Sequence, residues 1–265
     1  MSLICVNESQ CIRCGICVAE CPTLVLSMNT NGPEAVHSEQ CIACGHCVAV
    51  CPHAALDHEL TPLERQVDIQ GLPVLDKESA ARFLRSRRSI RSFKNTPVPR
   101  ETLLELVDMA RLAPTGSNGQ GVSFLIVEDK KIIEEAAKIV VDWLEDIPIS
   151  QYFSVMLQAF REKGIDTVLR DAPHLVLALA NADFPRGREN SVFSLAYLEL
   201  FAPALGLGSC WAGIFELCAF RGHEPLLNLF PIPEGKKITG AVMVGVPKYR
   251  YQRLPERNPL EVAFL

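Results

Sequence analysis

Cysteine placement constrains this chain more than any other feature. Residues 11–22 read Cys-Ile-Arg-Cys-Gly-Ile-Cys-Val-Ala-Glu-Cys-Pro, and residues 41–52 return the spacing as Cys-Ile-Ala-Cys-Gly-His-Cys-Val-Ala-Val-Cys-Pro. The first run presents Cys11, Cys14, Cys17 and Cys21, the second Cys41, Cys44, Cys47 and Cys51. Three cysteines separated by two residues wrap a tight loop, and an iron–sulfur cluster needs four soft thiolates converging on one small cube. Two other readings compete. Zinc sites use paired C-x-x-C knuckles rather than a triple followed by Cys-Pro. A disulfide framework needs an oxidising compartment, and the opening Met1-Ser2-Leu3-Ile4-Cys5-Val6-Asn7-Glu8 has neither the basic nor the apolar region of a secretory signal. The spacing favours two clusters.

On these residues the stretch from 1 to 58 resembles a bacterial-type ferredoxin with two 4Fe-4S clusters. In such proteins the fourth cysteine of each run ligates the other cluster. The resemblance therefore implies Cys11, Cys14, Cys17 and Cys51 on one cluster, and Cys41, Cys44, Cys47 and Cys21 on the other. The two halves form an internal repeat offset by thirty residues. Each half is expected to hold a strand, a cluster loop, a short helix and a return strand. The returns are expected at 24–28 and 55–58, with a turn at 29–33. So small a domain builds little core, so the clusters are expected to serve as one and the apo form to fold poorly.

The chain is too long for a ferredoxin alone. About 60 residues go to the cluster module, leaving roughly 200 for one further domain. A hydrophobic fraction of 48% lets that part bury a proper core. The net charge of −5 argues against nucleic-acid binding, which needs a basic patch. No apolar run approaches the ~18 residues of a membrane span. A cytoplasmic, reduced protein with no nucleic-acid or membrane partner is expected. Beyond the cluster cysteines, Cys5, Cys210 and Cys218 remain, expected as buried or partly buried thiols.

Residues 59–76, with Pro62, Gly71 and Pro73, read as a linker to a second domain at 77–265. Asp76 is an N-cap for a helix whose Ala80, Ala81, Phe83 and Leu84 share one face. After Pro97 and Pro99 an amphipathic helix carries Leu103, Leu104, Leu106, Val107, Ala110 and Leu112. It stops at a loop over 113–121. A buried strand is expected at 122–127, helices at 131–145 and 149–163, and a second strand at 175–180. A long apolar helix at 190–205, a small-residue loop at 206–213 and a third strand at 240–246 follow. Strands separated by several helices indicate an α+β or α/β layer fold.

Separated segments of this second part form another constellation. Arg87, Arg88, Ser89 and Arg91 place guanidinium forks beside a hydroxyl, suited to a phosphate or an electron-rich carbonyl edge. Taken alone, such a run is ordinarily a solvated helix end. Asn118 and Gln120 bring amides that donate and accept, in a loop whose small neighbours admit a planar ligand. Alone it is an ordinary turn. The loop from Gly206 to Gly213 is, alone, a helix C-cap.

In this order and spacing the segments resemble the nitroreductase family of FMN enzymes, over residues from about 77 to 265. The resemblance implies a nitroreductase-like α/β FMN-binding domain. The whole chain is thus expected to be α+β, with the small two-cluster ferredoxin domain first. Arg87, Arg88, Ser89 and Arg91 are then implied to hold the FMN phosphate and the pyrimidine edge. Ala113, Pro114, Asn118 and Gln120 match the family's Ala-Pro-Ser-x-x-Asn-x-Gln loop, although Gly121-Val122 stand where the family has Pro-Trp. Trp211, Ala212 and Gly213 are implied to offer backbone groups near the flavin N5 and O4. Arg253 and Arg257, after Gly245-Val246-Pro247, are implied to complete the phosphate contacts. No side chain is singled out as an acid or base, and no G-x-G-x-x-G lies between a strand and a helix.

The expected function is FMN-dependent oxidoreduction, with two 4Fe-4S clusters passing electrons to FMN and the protein supplying position and electrostatics. The expected partners are a low-potential donor, ferredoxin-like or NAD(P)H, and a small organic acceptor such as a nitroaromatic, quinone or enone. The family resemblance and the many apolar helices after residue 100 imply a homodimer. Two other readings stand beside this one. An electron carrier or flavin store would show no turnover, and a docking module of a larger redox complex would co-purify with a stoichiometric partner.

Overall fold

The computed structural model describes residues 2–148 and 150–265. The chain divides into two units, one running to Val74 and including Ser117–Gly119, the other comprising Leu75–Gly116 and Gln120–Leu265.

The first unit holds β1 (Ile4–Val6), α1 (Ile16–Ala19), β2 (Leu26–Asn29), β3 (Gly32–Ala35), α2 (His46–Ala49) and β4 (Leu56–His58). β1 pairs with β4 and β2 with β3, both antiparallel. The repeat extends to the backbone. Arg13, Gly15 and Leu24 have φ of 56°, 77° and 56°, and Ala43, Gly45 and Ala54, the same three positions in the second half, have 50°, 72° and 47°. Left-handed non-glycine residues are uncommon. Their recurrence at matched positions shows that loop shape is repeated where side chains are not. The turn expected at 29–33 is shorter. Asn29, Gly32 and Pro33 pair within β2 and β3, leaving Thr30-Asn31 as the turn. Asn29 Oδ1 closes it by accepting from Asn31 N at 2.8 Å and Gly32 N at 3.1 Å, as an Asx turn does. The buried core is Ile4, Cys17, Val25, Leu26, Val48 and Leu56, a meagre one for a free-standing fold.

The second unit holds α3 (Lys77–Ser86), α4 (Arg100–Ala110), β5 (Ser123–Val127), α5 (Lys130–Asp146), α6 (Ser154–Lys163), β6 (His174–Asn181), α7 (Gly187–Phe201), β7 (Gly208–Trp211), α8 (Gly213–Ala219), α9 (Glu224–Leu227) and β8 (Lys236–Gly245). The sheet order is β5-β6-β8-β7 with every pairing antiparallel. The central strands are covered on both faces. Leu175, Leu177 and Leu179 pack with Val140, Leu144 and Phe215. Val176 and Ala178 pack with Leu103, Leu106, Leu195 and Leu198 on the other face. Burial on both faces explains why β6 reads as an unbroken apolar run rather than an alternation.

Several expectations for this unit are revised. β5 is an edge strand whose only buried residue is Val127, so the strand expected to be buried is half-covered. The helix expected at 190–205 is α7, which starts earlier and passes into a 3₁₀ turn at Ala202–Leu205, where Pro203 lacks the amide a helix needs. The helix expected at 149–163 is a 3₁₀ turn at Ser150–Phe153 followed by α6, and its expected start at Ile149 lies outside the described residues. The loop expected at 206–213 contains β7, a fourth strand. Gly208 shows why small residues gather there. A Cβ on it would stand 2.5 Å from Ile90 Cγ1 and 2.9 Å from Pro247 Cγ, so glycine permits a close approach within regular structure. Asp76 caps α3 through Oδ1, accepting from Glu78 N and Ser79 N at 2.9 Å each. None of the residues of α3 is buried, however, so Phe83 and Leu84 lie open. Cys210 and Cys218 are buried, but Cys5 is exposed. Among the described residues no helix is long and apolar enough to cross a membrane.

Candidate functional site

The first unit contains two cavities, one lined by Cys11, Cys14, Cys17 and Cys51 and the other by Cys21, Cys41, Cys44 and Cys47. Cys21 and Cys51 each stand with the three cysteines of the opposite run. Among the described residues no three His, Cys, Asp or Glu side chains converge as a single metal ion requires; the thiols ring a cavity instead. Backbone amides point at the sulfurs. Val25 N donates to Cys21 Sγ and Ala55 N to Cys51 Sγ at 3.3 Å, and Ala43 N donates to Cys41 Sγ at 3.4 Å. Burial pushes the Cys47 thiol up to about 11 and raises Cys17 as well. Metal loading must therefore release protons from these thiols. The donor set, four soft sulfurs around each cavity with amides aimed at them, fits two iron–sulfur cubes.

His58, in the sequence simply the last residue of a return strand, stands beside the second cavity. It ends β4, is 3% exposed, and places Nε2 3.4 Å from Cys41 Sγ. Its Nδ1 accepts from Leu60 N at 3.1 Å and Thr61 N at 3.3 Å. Burial holds the imidazole below its ordinary range.

In the second unit the segment after α3 is laced into the sheet. Ser89 bridges Ser209 and Ile90 N donates to Ser209 O at 2.8 Å, while Phe93 bridges Pro247 and Lys94 N donates to Val246 O at 2.8 Å. Segments distant in the chain thus meet around a cavity of about 460 Å³, with Arg88, Lys94, Glu199, Ser209, Tyr249 and Arg250 in its wall. Glu199 comes from α7. Its Oε1 accepts from Ser209 Oγ at 3.3 Å and lies 3.7 Å from Arg87 Nη1. Burial pushes this carboxyl up, opposed by the Arg87 guanidinium and Ser209. Arg88 Nη2 donates to Arg85 O at 2.6 Å, and its buried Nε has no hydrogen-bond partner among the described residues. A buried guanidinium donor of this kind suits an anionic ligand. Arg87 Nη1 is 3.5 Å from Ser89 Oγ, and Arg91 Nη1 is 3.5 Å from Ser89 O. The Cys210 thiol is pushed up by burial, with Arg91 opposing.

The Arg188 guanidinium carbon lies 5.1 Å from the centre of the Trp211 ring, and Arg188 is held by Glu216 through contacts of 2.9 and 3.1 Å. Ala212 N donates to Ala241 O at 2.9 Å, so this amide is spent inside the fold and is not one a ligand receives. Gly213 is exposed at the start of α8. Asn118 belongs to the first unit, where Nδ2 donates to the carbonyls of Ile42 at 2.9 Å and Ala43 at 2.8 Å. Gln120 is exposed and its N–H donates to Thr115 Oγ1 at 3.0 Å. Arg253 and Arg257 lie in the exposed tail and not in the cavity wall, where Lys94 and Arg250 stand. Lys94, Glu199 and Arg250 stand in the cavity wall and are not among the candidates the sequence offers. Glu199 alone had a signal, as a carboxylate in the otherwise apolar end of α7.

Residues 84–246 match the nitroreductase family model, and residues 3–52 match a 4Fe-4S dicluster domain model. An NADH dehydrogenase of Thermus thermophilus is 41% identical over 207 residues, covering 69% of this chain and 94% of that protein. An iodotyrosine deiodinase of Thermotoga neapolitana is 30% identical over 186 residues, covering 68% and 94%. A nitroreductase from Desulfitobacterium hafniense, solved with bound FMN, shares the fold with a TM-score of 0.59 at 18% identity, covering 72% of this chain and 100% of its own. With a 4Fe-4S dicluster module ahead of it and a family match spanning more than half its length, the chain belongs to the nitroreductase family.

Proposed function

We propose that this protein is an FMN-dependent oxidoreductase that reduces a small organic acceptor, such as a nitroaromatic, quinone or enone, with electrons entering through its two 4Fe-4S clusters. The observation that carries the reading is the cationic cavity of the second unit. Arg88, Lys94 and Arg250 wall it together, and the buried Nε of Arg88 is left for an anion. These residues fit the phosphate of FMN. FMN, when bound, supplies chemistry that joins one-electron donors to two-electron acceptors.

The chain's own residues hold and orient it. Arg88, Lys94 and Arg250 in the cavity wall, with Arg87 beside them, would hold the phosphate, and Glu199 would keep Arg87 in place. By the family resemblance, Ser89 and Arg91 would address the pyrimidine edge and Trp211 and Gly213 would lie toward the ring. A cytoplasmic setting suits the many reduced thiols. The homodimer reading is supported by apolar side chains left open, with Val192, Phe193 and Tyr197 on α7 and Leu260, Val262 and Phe264 in the tail. Sedimentation of the FMN-loaded protein should give a dimer, and a monomer with full FMN would contradict it.

The donor follows from the fusion. Tethering makes the encounter between module and flavin domain intramolecular, which favours a low-potential one-electron donor. The name of the Thermus relative keeps NADH as the second donor to test. The experiment is an anaerobic screen of acceptors with each donor in turn. Turnover of at least one acceptor is expected. FMN reduction without turnover of any acceptor would leave a carrier rather than an enzyme.

A further inference from the structure

The internal repeat supplies its own control. Positions thirty apart play matching parts in the two halves, and His58 matches Met28. Met28 lines the cavity of Cys11, Cys14, Cys17 and Cys51, and His58 lines that of Cys21, Cys41, Cys44 and Cys47. The two side chains differ in one decisive respect: methionine has no hydrogen to donate.

The proton on His58 can be assigned from its partners. Nδ1 faces two backbone N–H donors, Leu60 at 3.1 Å and Thr61 at 3.3 Å. It must accept, so it carries no hydrogen. The ring hydrogen is then on Nε2, 3.4 Å from Cys41 Sγ. The contact is therefore an N–H···S bond from histidine to a ligand sulfur. Asp57 braces the loop that fixes this arrangement, its Oδ1 accepting from His58 N and Leu63 N at 2.8 Å each.

We propose that His58 sets the reduction potential of the cluster held by Cys21, Cys41, Cys44 and Cys47, raising it above that of the cluster beside Met28. The inference rests on the two-cluster reading. Reduction adds negative charge to cluster and ligand sulfurs, and a hydrogen bond to sulfur stabilises that charge, so the potential rises. The two clusters are then inequivalent, and an electron delivered to either one rests preferentially on the His58 side. His58 touches a ligand rather than the iron, so it is a positioning residue.

The test uses the full chain, purified anaerobically, and potentials read cluster by cluster by redox titration followed by electron paramagnetic resonance. Iron near eight per chain establishes the two-cluster reading separately. His58→Met copies the other half of the repeat. One cluster should shift to lower potential so that its reduced-to-oxidised ratio at fixed poise falls about tenfold, which is about 59 mV for one electron. The other cluster should stay. His58→Gln, whose amide can still donate, should keep full iron and shift less. If His58→Met loses iron, the Gln variant decides, a downward shift confined to one cluster supporting the proposal. Unchanged potentials, equal shifts in both clusters, or loss of the same cluster in both variants would overturn it.

Discussion

The two units build their sites in opposite ways. In the first, each set of thiols comes from two short runs, and the buried core around them among the described residues is only Ile4, Val25, Leu26, Val48 and Leu56 besides Cys17 itself. In the second, the cavity wall draws on residues from Ser86 to Tyr251, carried by a sheet whose centre is packed on both faces. With so little core of its own, the first unit is expected to depend for its fold on what it binds. The second has a packed core of its own and places a cavity where distant segments meet.

The sharpest way to break this contrast is to remove a ligand from the first unit. Cys44→Ala should lose one cube, so that iron falls from about eight to about four per chain, and should unfold the module while the second unit keeps its melting transition. Metal analysis and calorimetry read both. One zinc and no iron in the intact protein would end the cluster account.

The matching blow to the second unit is to its core. Leu195→Ala removes a fully buried side chain against Gly240 and should cost about 2–5 kcal/mol, seen as a lower melting temperature with iron content unchanged. A smaller effect is expected beside the cavity, where Arg87 faces the wall residue Glu199. Arg87→Ala should weaken FMN binding by about 1.5–3 kcal/mol, roughly ten- to a hundredfold, measured by fluorescence titration, with Lys restoring only part. Unchanged FMN affinity would remove Arg87 from the site.

The smallest effect concerns pH. His174 is buried, its Nε2 accepts from Val98 N at 2.8 Å, and burial holds its pKa below the ordinary value. As pH falls through about 6.5, the unfolded chain takes up a proton that folded His174 refuses. Stability from this residue is therefore present above that pH and lost below it, down to the depressed folded value. His174→Phe should flatten the slope of melting temperature between pH 7.5 and 5.5, and an unaltered slope would show that other groups carry it.

The same contrast explains what could be read from the chain. The thiols that ring each cavity are close in sequence, so spacing exposed them, and β6 and β8 announced themselves as apolar runs. β7 did not, because Gly208-Ser209-Cys210-Trp211 has a loop's composition and is made a strand by pairing with β8 and close packing on Ile90. Lys94 and Arg250 escaped because single charges acquire meaning only when the bridge from Phe93 to Pro247 brings them together. Arg253 and Arg257, matched through the family resemblance, lie along the exposed tail and outside the cavity wall. His58 was legible only through the repeat, as a histidine standing where the first half has methionine.

The central claim is that electrons enter through the first unit and leave through the second. Its most direct measurement compares the full chain with one lacking residues 1–74, each loaded with FMN and supplied anaerobically with a reduced low-potential ferredoxin and an acceptor. The account predicts that ferredoxin-driven turnover falls by orders of magnitude in the shortened chain while FMN binding and any NADH-driven turnover barely change. Equal ferredoxin-driven turnover in the two chains would contradict it and leave the clusters a structural or regulatory part.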